Sequence, residues 1–234
     1  TIAMAACGSS KTSDETKTIS TVEDLEGAKI GVQLGTTGDI YSSDYEGDEA
    51  GTTVERYNKM ADAIQALKQG KIDCVIVDEQ PAIAVTKDSG DLKILDEEFV
   101  SEDYAICIAK GNEQLKEKIS EALGALKEDG TIADIISNYI GEEAGKHPYE
   151  TPAGTSYDNG TLVAATNATF PPYEYYENET VTGIDIDIIT AIGDRLGMKV
   201  EISDMEFDAI INSVNSGKAD VGIAGLTVTE DRLK

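Results

Sequence analysis

From residue 21 onward, short apolar runs alternate with stretches in which apolar residues recur every three or four positions. Residues 28–34 (AKIGVQL) are a predicted strand running into the turn-forming GTTGD, and 53–57 (TVERY) are a second. Residues 72–77 (IDCVIV) are almost continuously apolar, as expected of a strand covered on both sheet faces. Between the last two, Met60, Ala63, Ile64 and Leu67 share one helical face, and that helix stops at Gly70. A helix from about residue 80, strands over 92–95 and 103–109, and helices over about 112–128 and 131–140 follow. Upstream, Ser20-Thr21-Val22-Glu23 has the arrangement of a capping box opening a short helix that ends at Gly27.

The pattern lapses over residues 141–160, GEEAGKHPYETPAGTSYDNG, which carry two of the five prolines and no apolar period. This composition predicts a linker. It then restarts with a strand over 161–166, a Pro-Pro loop, a helix over 183–196, a strand over 198–203, a helix over about 207–216 and a strand over 219–224. Strands alternating with helices imply parallel α/β sheets. An internal repeat points to two related lobes. Asp62-Ala63-Ile64 leading to Gly70-Lys71-Ile72-Asp73 resembles Asp208-Ala209-Ile210 leading to Gly217-Lys218-Ala219-Asp220.

Composition narrows the function. Formal net charge is -26, from 45 acidic and 19 basic side chains, and such a surface repels nucleic-acid backbones. No apolar run approaches the ~20 residues that cross a bilayer. Cys74 and Cys107 sit in apolar strand-like runs and read as buried structural thiols; neither has a CxxC partner. The single histidine, His147, falls in the expected linker, which leaves no metal centre or Ser-His-Asp triad in view. No cofactor is expected. At the start, small residues before Cys7 (TIAMAAC) resemble the end of a bacterial lipoprotein signal. Residues 1–18 are accordingly expected to be a signal remnant and tether, with Cys7 as the lipidated position.

In open parallel sheets ligands sit beyond the carboxyl ends of strands. The residues at four such ends are Asn167, Thr169, Phe170 and Tyr173; Gly225, Thr227, Thr229 and Arg232; Gly35, Thr36 and Thr37; and Asp78, Glu79 and Gln80. This set suits an amino acid. A carboxylate takes a guanidinium with hydroxyl and backbone N–H donors, which Arg232, Thr227 and Gly225 supply. An ammonium takes an acceptor such as Asp78, and the rings of Phe170 and Phe207 cover aliphatic atoms. For each residue a plainer role is open: a solvated helix-start cation for Arg232, a helix N-cap for Asp78 and a core side chain for Phe207.

At these residues the chain resembles a family. TNATFPPYEYYENETVTGIDIDIITAIGDRLG and GKADVGIAGLTVTEDRLK are similar to the first lobe of the amino-acid-binding proteins of ABC importers (family 3 type solute-binding proteins). ISTVEDLEGAKIGVQLGTTGD, GKIDCVIVDEQPA and YAICIAKGNEQL resemble the second lobe and the return to the first. The resemblance implies a two-lobed α/β periplasmic-binding-protein (Venus-flytrap) fold, with parallel-rich sheets flanked by helices, that captures an amino acid between its lobes without chemistry. It implies that Arg232, Thr227 and the Ala224/Gly225 backbone hold the ligand carboxylate, with Thr36 and Thr37 as further donors. Asp78 would accept the ammonium, Phe170 and Phe207 would form walls, and Asn167 and Gln33 would select the side chain, a polar or neutral one. The order of segments is reversed relative to the family, so a permuted connectivity is expected: 19–102 as the second lobe, 103–140 as the return segment, 141–160 as the linker and 161–234 as the first lobe. An extracytoplasmic protein delivering its ligand to an ABC permease, as a monomer or a segment-exchanged dimer, is the function implied. A ligand-sensing receptor domain is the alternative, and a dehydratase or lyase on the same fold a more distant one.

Overall fold

The computed structural model describes residues 2–7 (as backbone), 17–47, 49–87, 89–97 and 99–233. The chain divides into two compact units, Thr1–Asp103 and Tyr104–Lys234.

Unit 1 is built on a five-stranded sheet. Its strands are β1 (Ile2–Cys7), β2 (Lys29–Gln33), β3 (Thr53–Tyr57), β4 (Cys74–Asp78) and β5 (Leu92–Ile94), in the order β3-β2-β4-β1-β5. Helices α1 (Thr37–Ser42), α2 (Met60–Lys68) and α3 (Glu79–Thr86) form the connections. β2 runs parallel to β3 and β4, as the strand-helix alternation requires. The nearly unbroken apolar run is β4, whose Cys74, Val75, Ile76 and Val77 are all buried. α2 buries the face read from its periodicity: Met60, Ala63, Ile64 and Leu67. Leu25, Ile30, Val32, Cys74 and Ile76 centre the core.

Ile2–Cys7 departs from the expected signal remnant and tether. Its backbone lies inside the sheet, antiparallel to β4 from Ile2 opposite Asp78 to Ala6 opposite Cys74, and antiparallel to β5 at Ala5, Ala6 and Cys7. Lipidation of a signal cysteine requires cleavage just before it, which here would remove Ile2–Ala6 from between two strands and leave both edges unpaired. The tether over 11–16 lies outside the described residues; Lys17 is already anchored, its N–H donating to Asp73 Oδ1 at 2.8 Å.

Unit 2 holds a four-stranded sheet of β6 (Cys107–Ile108), β7 (Thr161–Thr166), β11 (Lys199–Asp204) and β12 (Val221–Gly222), in the order β11-β7-β12-β6. β7 is parallel to β11 and β12, and β6 is antiparallel to β12. Helices α4 (Glu113–Glu128), α5 (Thr131–Tyr139), α6 (Ile184–Leu196) and α7 (Ile210–Asn215) pack around it. Ile119, Leu126 and Ile135 from α4 and α5 meet Ile189 and Ile192 of α6 and Leu162 and Val221 of the sheet. Each such side chain contributes about 1.5–3 kcal/mol on leaving water. Pro171 and Pro172 lie in the expected loop, a turn joining β8 (Thr169–Phe170) to β9 (Glu174–Glu177) in a small antiparallel meander completed by β10 (Thr180–Thr182).

Residues 141–160 lie within unit 2. Their polar groups bond to the helices beneath. Tyr149 and Tyr157 both donate to Asp194 of α6, at 2.9 and 2.8 Å, and the His147 N–H donates to Asn138 Oδ1 at 2.9 Å. A segment without apolar period is held here by side-chain hydrogen bonds, a signal that hydropathy does not carry.

Candidate functional site

Seven of the expected site residues fall in unit 2: Asn167, Phe170, Phe207, Ala224, Gly225, Thr227 and Arg232. Asn167 ends β7 and is only 4% exposed. Its Nδ2 donates to Met205 O at 2.7 Å, while its Oδ1 accepts from the Thr169 hydroxyl at 2.8 Å. Both ends of the amide are committed to protein partners. After β12 the chain turns at Gly225, whose φ of +55° is costly for residues with a side chain. A Cβ there would meet Phe170 Cε1 at 3.4 Å and Tyr104 Cζ at 3.5 Å, so the loop is gripped between two rings. Tyr173 completes this aromatic wall, edge-on to Tyr104 at 5.1 Å and stacked on Phe170 at 6.0 Å.

Arg232 follows the loop. Its Nη1 donates to Thr227 O at 2.8 Å, and its guanidinium carbon stands 5.5 Å from the Phe207 ring centroid. The plainer reading of Arg232 as a solvated cation therefore gives way to a placed guanidinium. Thr227 is buried and bridges to Tyr104. A groove of about 540 Å³ runs beside β6 and α4, bordered by Tyr104, Thr227 and Arg232. Asn167, Phe170, Phe207 and Gly225 do not line it.

The structure revises Gly225. Its N–H, expected to face a ligand carboxylate, donates instead to Asp185 Oδ2 at 2.8 Å in a buried bond. Asp185 and its neighbour Glu174 escape a motif reading, yet a signal for Asp185 exists. It lies four and seven residues before Ile189 and Ile192, which are fully buried, and so shares their helical face.

In unit 1 the expected residues form a second polar cluster. Gln33 is buried and its Nε2 donates to Asn58 O at 3.1 Å. Thr36 caps α1: its hydroxyl accepts from Asp39 N at 3.3 Å and donates to Gln33 O at 2.8 Å. Thr37 is buried, with its hydroxyl donating to Glu102 at 2.7 Å; Tyr41 donates to the other oxygen of that carboxylate at 2.8 Å. Asp78 occupies the N-cap position of α3, without a side-chain capping bond. Asp39 accepts from Gly35 N at 2.9 Å and pairs with Arg56 Nε at 2.7 Å, fixing the loop that carries Thr36. Both described cysteines are structural in character: burial pushes the Cys74 thiol up to about 12 and raises Cys107. No group of side chains suited to a metal occurs among the described residues.

Residues 162–234, which carry β7 through Arg232, match the bacterial extracellular solute-binding proteins, family 3. The L-cystine-binding protein TcyJ of Escherichia coli (strain K12) is 31% identical over 130 residues, 55% of this chain and 48% of that protein. The arginine-binding extracellular protein ArtP of Bacillus subtilis (strain 168) is 29% identical over 82 residues, 35% of this chain and 32% of that protein. Among solved structures, an ancestral arginine-binding protein bound to arginine shares 34% identity at a TM-score of 0.52, with 60% of each chain covered. An ancestral arginine-binding protein bound to glutamine shares 36% identity at 0.51, again over 60% of each chain. The chain thus spans about half or less of the curated relatives it matches. The α/β fold, with parallel-rich sheets flanked by helices, is common to this chain and those structures.

Proposed function

We propose that this protein is an extracytoplasmic solute-binding protein that captures an amino acid and presents it to an ABC permease, without chemical turnover. The observation that carries the reading is Arg232, held by Thr227 O and the Phe207 ring in the segment that matches the family. A guanidinium placed in this way is preorganised for a carboxylate, and little rotamer entropy remains to be lost on binding. Thr227 supplies the accompanying hydroxyl, and Phe170 and Phe207 offer apolar faces. Relatives named for cystine and arginine, and a structure bound to glutamine, share the α-amino-acid head group while differing in side chain. That pattern supports recognition of the head group by the Arg232 cluster. Asn167, a neutral residue at the position expected to select the side chain, favours a polar or neutral ligand over a cationic one. Gln33, Thr36, Thr37 and Asp78 of unit 1 are assigned to the same function.

The test is a thermal-shift screen of the whole chain against the twenty amino acids. A ligand that binds only the folded state raises the melting temperature, by about 2.7 kcal/mol of stability at a hundredfold excess over Kd. One or a few amino acids are expected to do so, and Arg232→Ala is expected to abolish the shift while leaving the unliganded melting temperature nearly unchanged. A shift retained in Arg232→Ala would remove the clamp from the reading; conversion of the ligand to product would replace binding with catalysis.

A further inference from the structure

We propose that Glu174 and Asp185 form a carboxyl pair sharing one proton, and that this pair positions the loop Ala224–Thr227 by holding the Gly225 N–H. The inference deepens the amino-acid-binding reading and rests on it for its effect on affinity. Both side chains are almost wholly withdrawn from water, Glu174 at 1% and Asp185 at 7% exposure. Glu174 opens β9 and Asp185 lies in the first turn of α6, where the Asp185 N–H donates to the carbonyl of Tyr173, the residue before Glu174, at 2.9 Å; the side chain of Glu174 favours the ionised form of Asp185. Two ionised carboxylates in a dry contact repel strongly, so a hydrogen bond between them requires a proton. With Glu174 as the protonated donor, Asp185 stays an anion and its Oδ2 takes the Gly225 N–H at 2.8 Å as a charge-assisted bond.

The geometry around the pair explains why this bond matters to the loop. Asp185 N is itself fixed by Tyr173 O at 2.9 Å, so the carboxylate stands on a rigid base. On the far side Phe170 and Tyr104 close on Gly225; further along the loop Leu226 O accepts from Ala105 N at 2.8 Å and Thr227 O from Arg232 Nη1 at 2.8 Å, so the carboxylate bond is the tie at Gly225 itself.

Titratable groups on the surrounding elements are Asp187 on α6, Tyr139 on α5, Tyr173 before β9, Tyr104 before β6 and Arg232 after β12. Asp187 is occupied by the Tyr139 hydroxyl at 2.8 Å, and Arg232 by Thr227 O. Burial pushes Asp185 up to about 6, against the Gly225 N–H and Glu174, which both favour its ionised form.

The sign of the pH effect separates two observables. Asp185 has its ordinary value of 3.8 when unfolded and a higher one when folded, so the folded state binds its proton more tightly. Its contribution to stability is fully present below about pH 4 and declines as pH rises to about 6. The tie to Gly225 is strongest when Asp185 is ionised, so loop order and ligand affinity rise across the same interval.

The decisive measurement is the Gly225 amide resonance of the whole, unliganded chain, followed by NMR from pH 4.5 to 8. A downfield shift with a midpoint near 6 is expected in the wild type and its loss in Asp185→Asn. Calorimetric titration with arginine, cystine and glutamine reads the consequence. Glu174→Leu is expected to weaken the bound ligand about tenfold at pH 7.5, the scale of one lost charged hydrogen bond, and Glu174→Gln, which keeps a donor toward Asp185, to recover most of the loss. A Gly225 amide that does not titrate in this range overturns the proposal, as does equal affinity loss in Glu174→Leu and Glu174→Gln. If none of the amino acids binds, the functional reading fails, while the amide titration still decides the carboxyl pair.

Discussion

At the scale of single residues, the site is fixed by positions where nothing larger than hydrogen fits. Gly183 begins α6 at φ +132°, a conformation open only to glycine, and a Cβ there would collide with the Tyr173 carbonyl oxygen. Tyr173 O is also the acceptor for Asp185 N, so displacing it disturbs the support of the Gly225 loop. Gly183→Ala is therefore expected to lower stability by about 3 kcal/mol or more, from backbone strain and steric displacement together. Chemical denaturation checks this; a loss below about 1 kcal/mol would show that the turn yields easily. The sequence alone marked Arg232, Thr227, Phe170 and Phe207 because charged, hydroxyl and aromatic residues after strand ends are legible by type. It could not show that the Gly225 N–H is already taken, because that depends on a side chain 40 residues away.

At the scale of elements, the repeated Gly-Lys-x-Asp segment acquires a physical meaning. Asp73 Oδ2 accepts from Lys29 N at 2.7 Å, and Asp220 Oδ2 accepts from Val163 N at 2.8 Å. In each case the aspartate preceding a buried strand latches the neighbouring parallel strand, β2 or β7. The return backbone bonds are matched as well, Asp73 N to Lys29 O at 2.8 Å and Asp220 N to Val163 O at 2.9 Å. Helices were read well where a long apolar period marks them, as in α2, α4 and α6. Strands were read less well where packing cuts them short. The expected strand over 219–224 pairs only at Val221–Gly222; a Cβ on Gly222 would press on Cys107 Sγ and Ile210 Cγ2 at 2.6 Å, and the chain then turns at Gly225. β1 is not legible in the sequence, because a run of alanines reads alike as a signal end or a strand and its partners lie about 70 residues away. Since β1 is paired on both edges at Ala5 and Ala6, Ala6→Pro is expected to remove a ladder bond and cost about 3 kcal/mol or more. Accelerated amide exchange in β4 and β5, with β7 and β11 unaffected, is the expected signature; unchanged exchange would detach β1 from the sheet.

At the scale of the whole molecule, the two units repeat one plan. β1, β2, β3 and β4 occupy the sheet order β3-β2-β4-β1, and β6, β7, β11 and β12 occupy β11-β7-β12-β6, with the same chain order and the same antiparallel member. The fifth place, taken by β5 in unit 1, has no counterpart among the described residues of unit 2. What the plan does not set is the surface, and here charge dominates. A net charge of -26 is spread over the chain, and self-repulsion of that size opposes compaction. Salt acts on both repulsive and attractive terms, so their balance decides the direction. The ion pairs at Lys93, Lys116, Lys146 and Arg195 are exposed, and each is worth at most about 1 kcal/mol. Among the ion pairs of the described residues, Arg56–Asp39 is the most shielded. Repulsion has the larger sum, and it acts over distances comparable to the ~30 Å screening length at 0.01 M salt, which falls to ~8 Å at 0.15 M. The melting temperature is therefore expected to rise by about 2–4 °C for each kcal/mol of repulsion removed as sodium chloride is raised from ~0.01 to ~0.15 M. Sodium chloride, unlike sulfate, changes apolar burial little over this range, so the rise reports screening. A melting temperature that falls instead would show that the Arg56 cluster and its exposed counterparts outweigh the acidic surface.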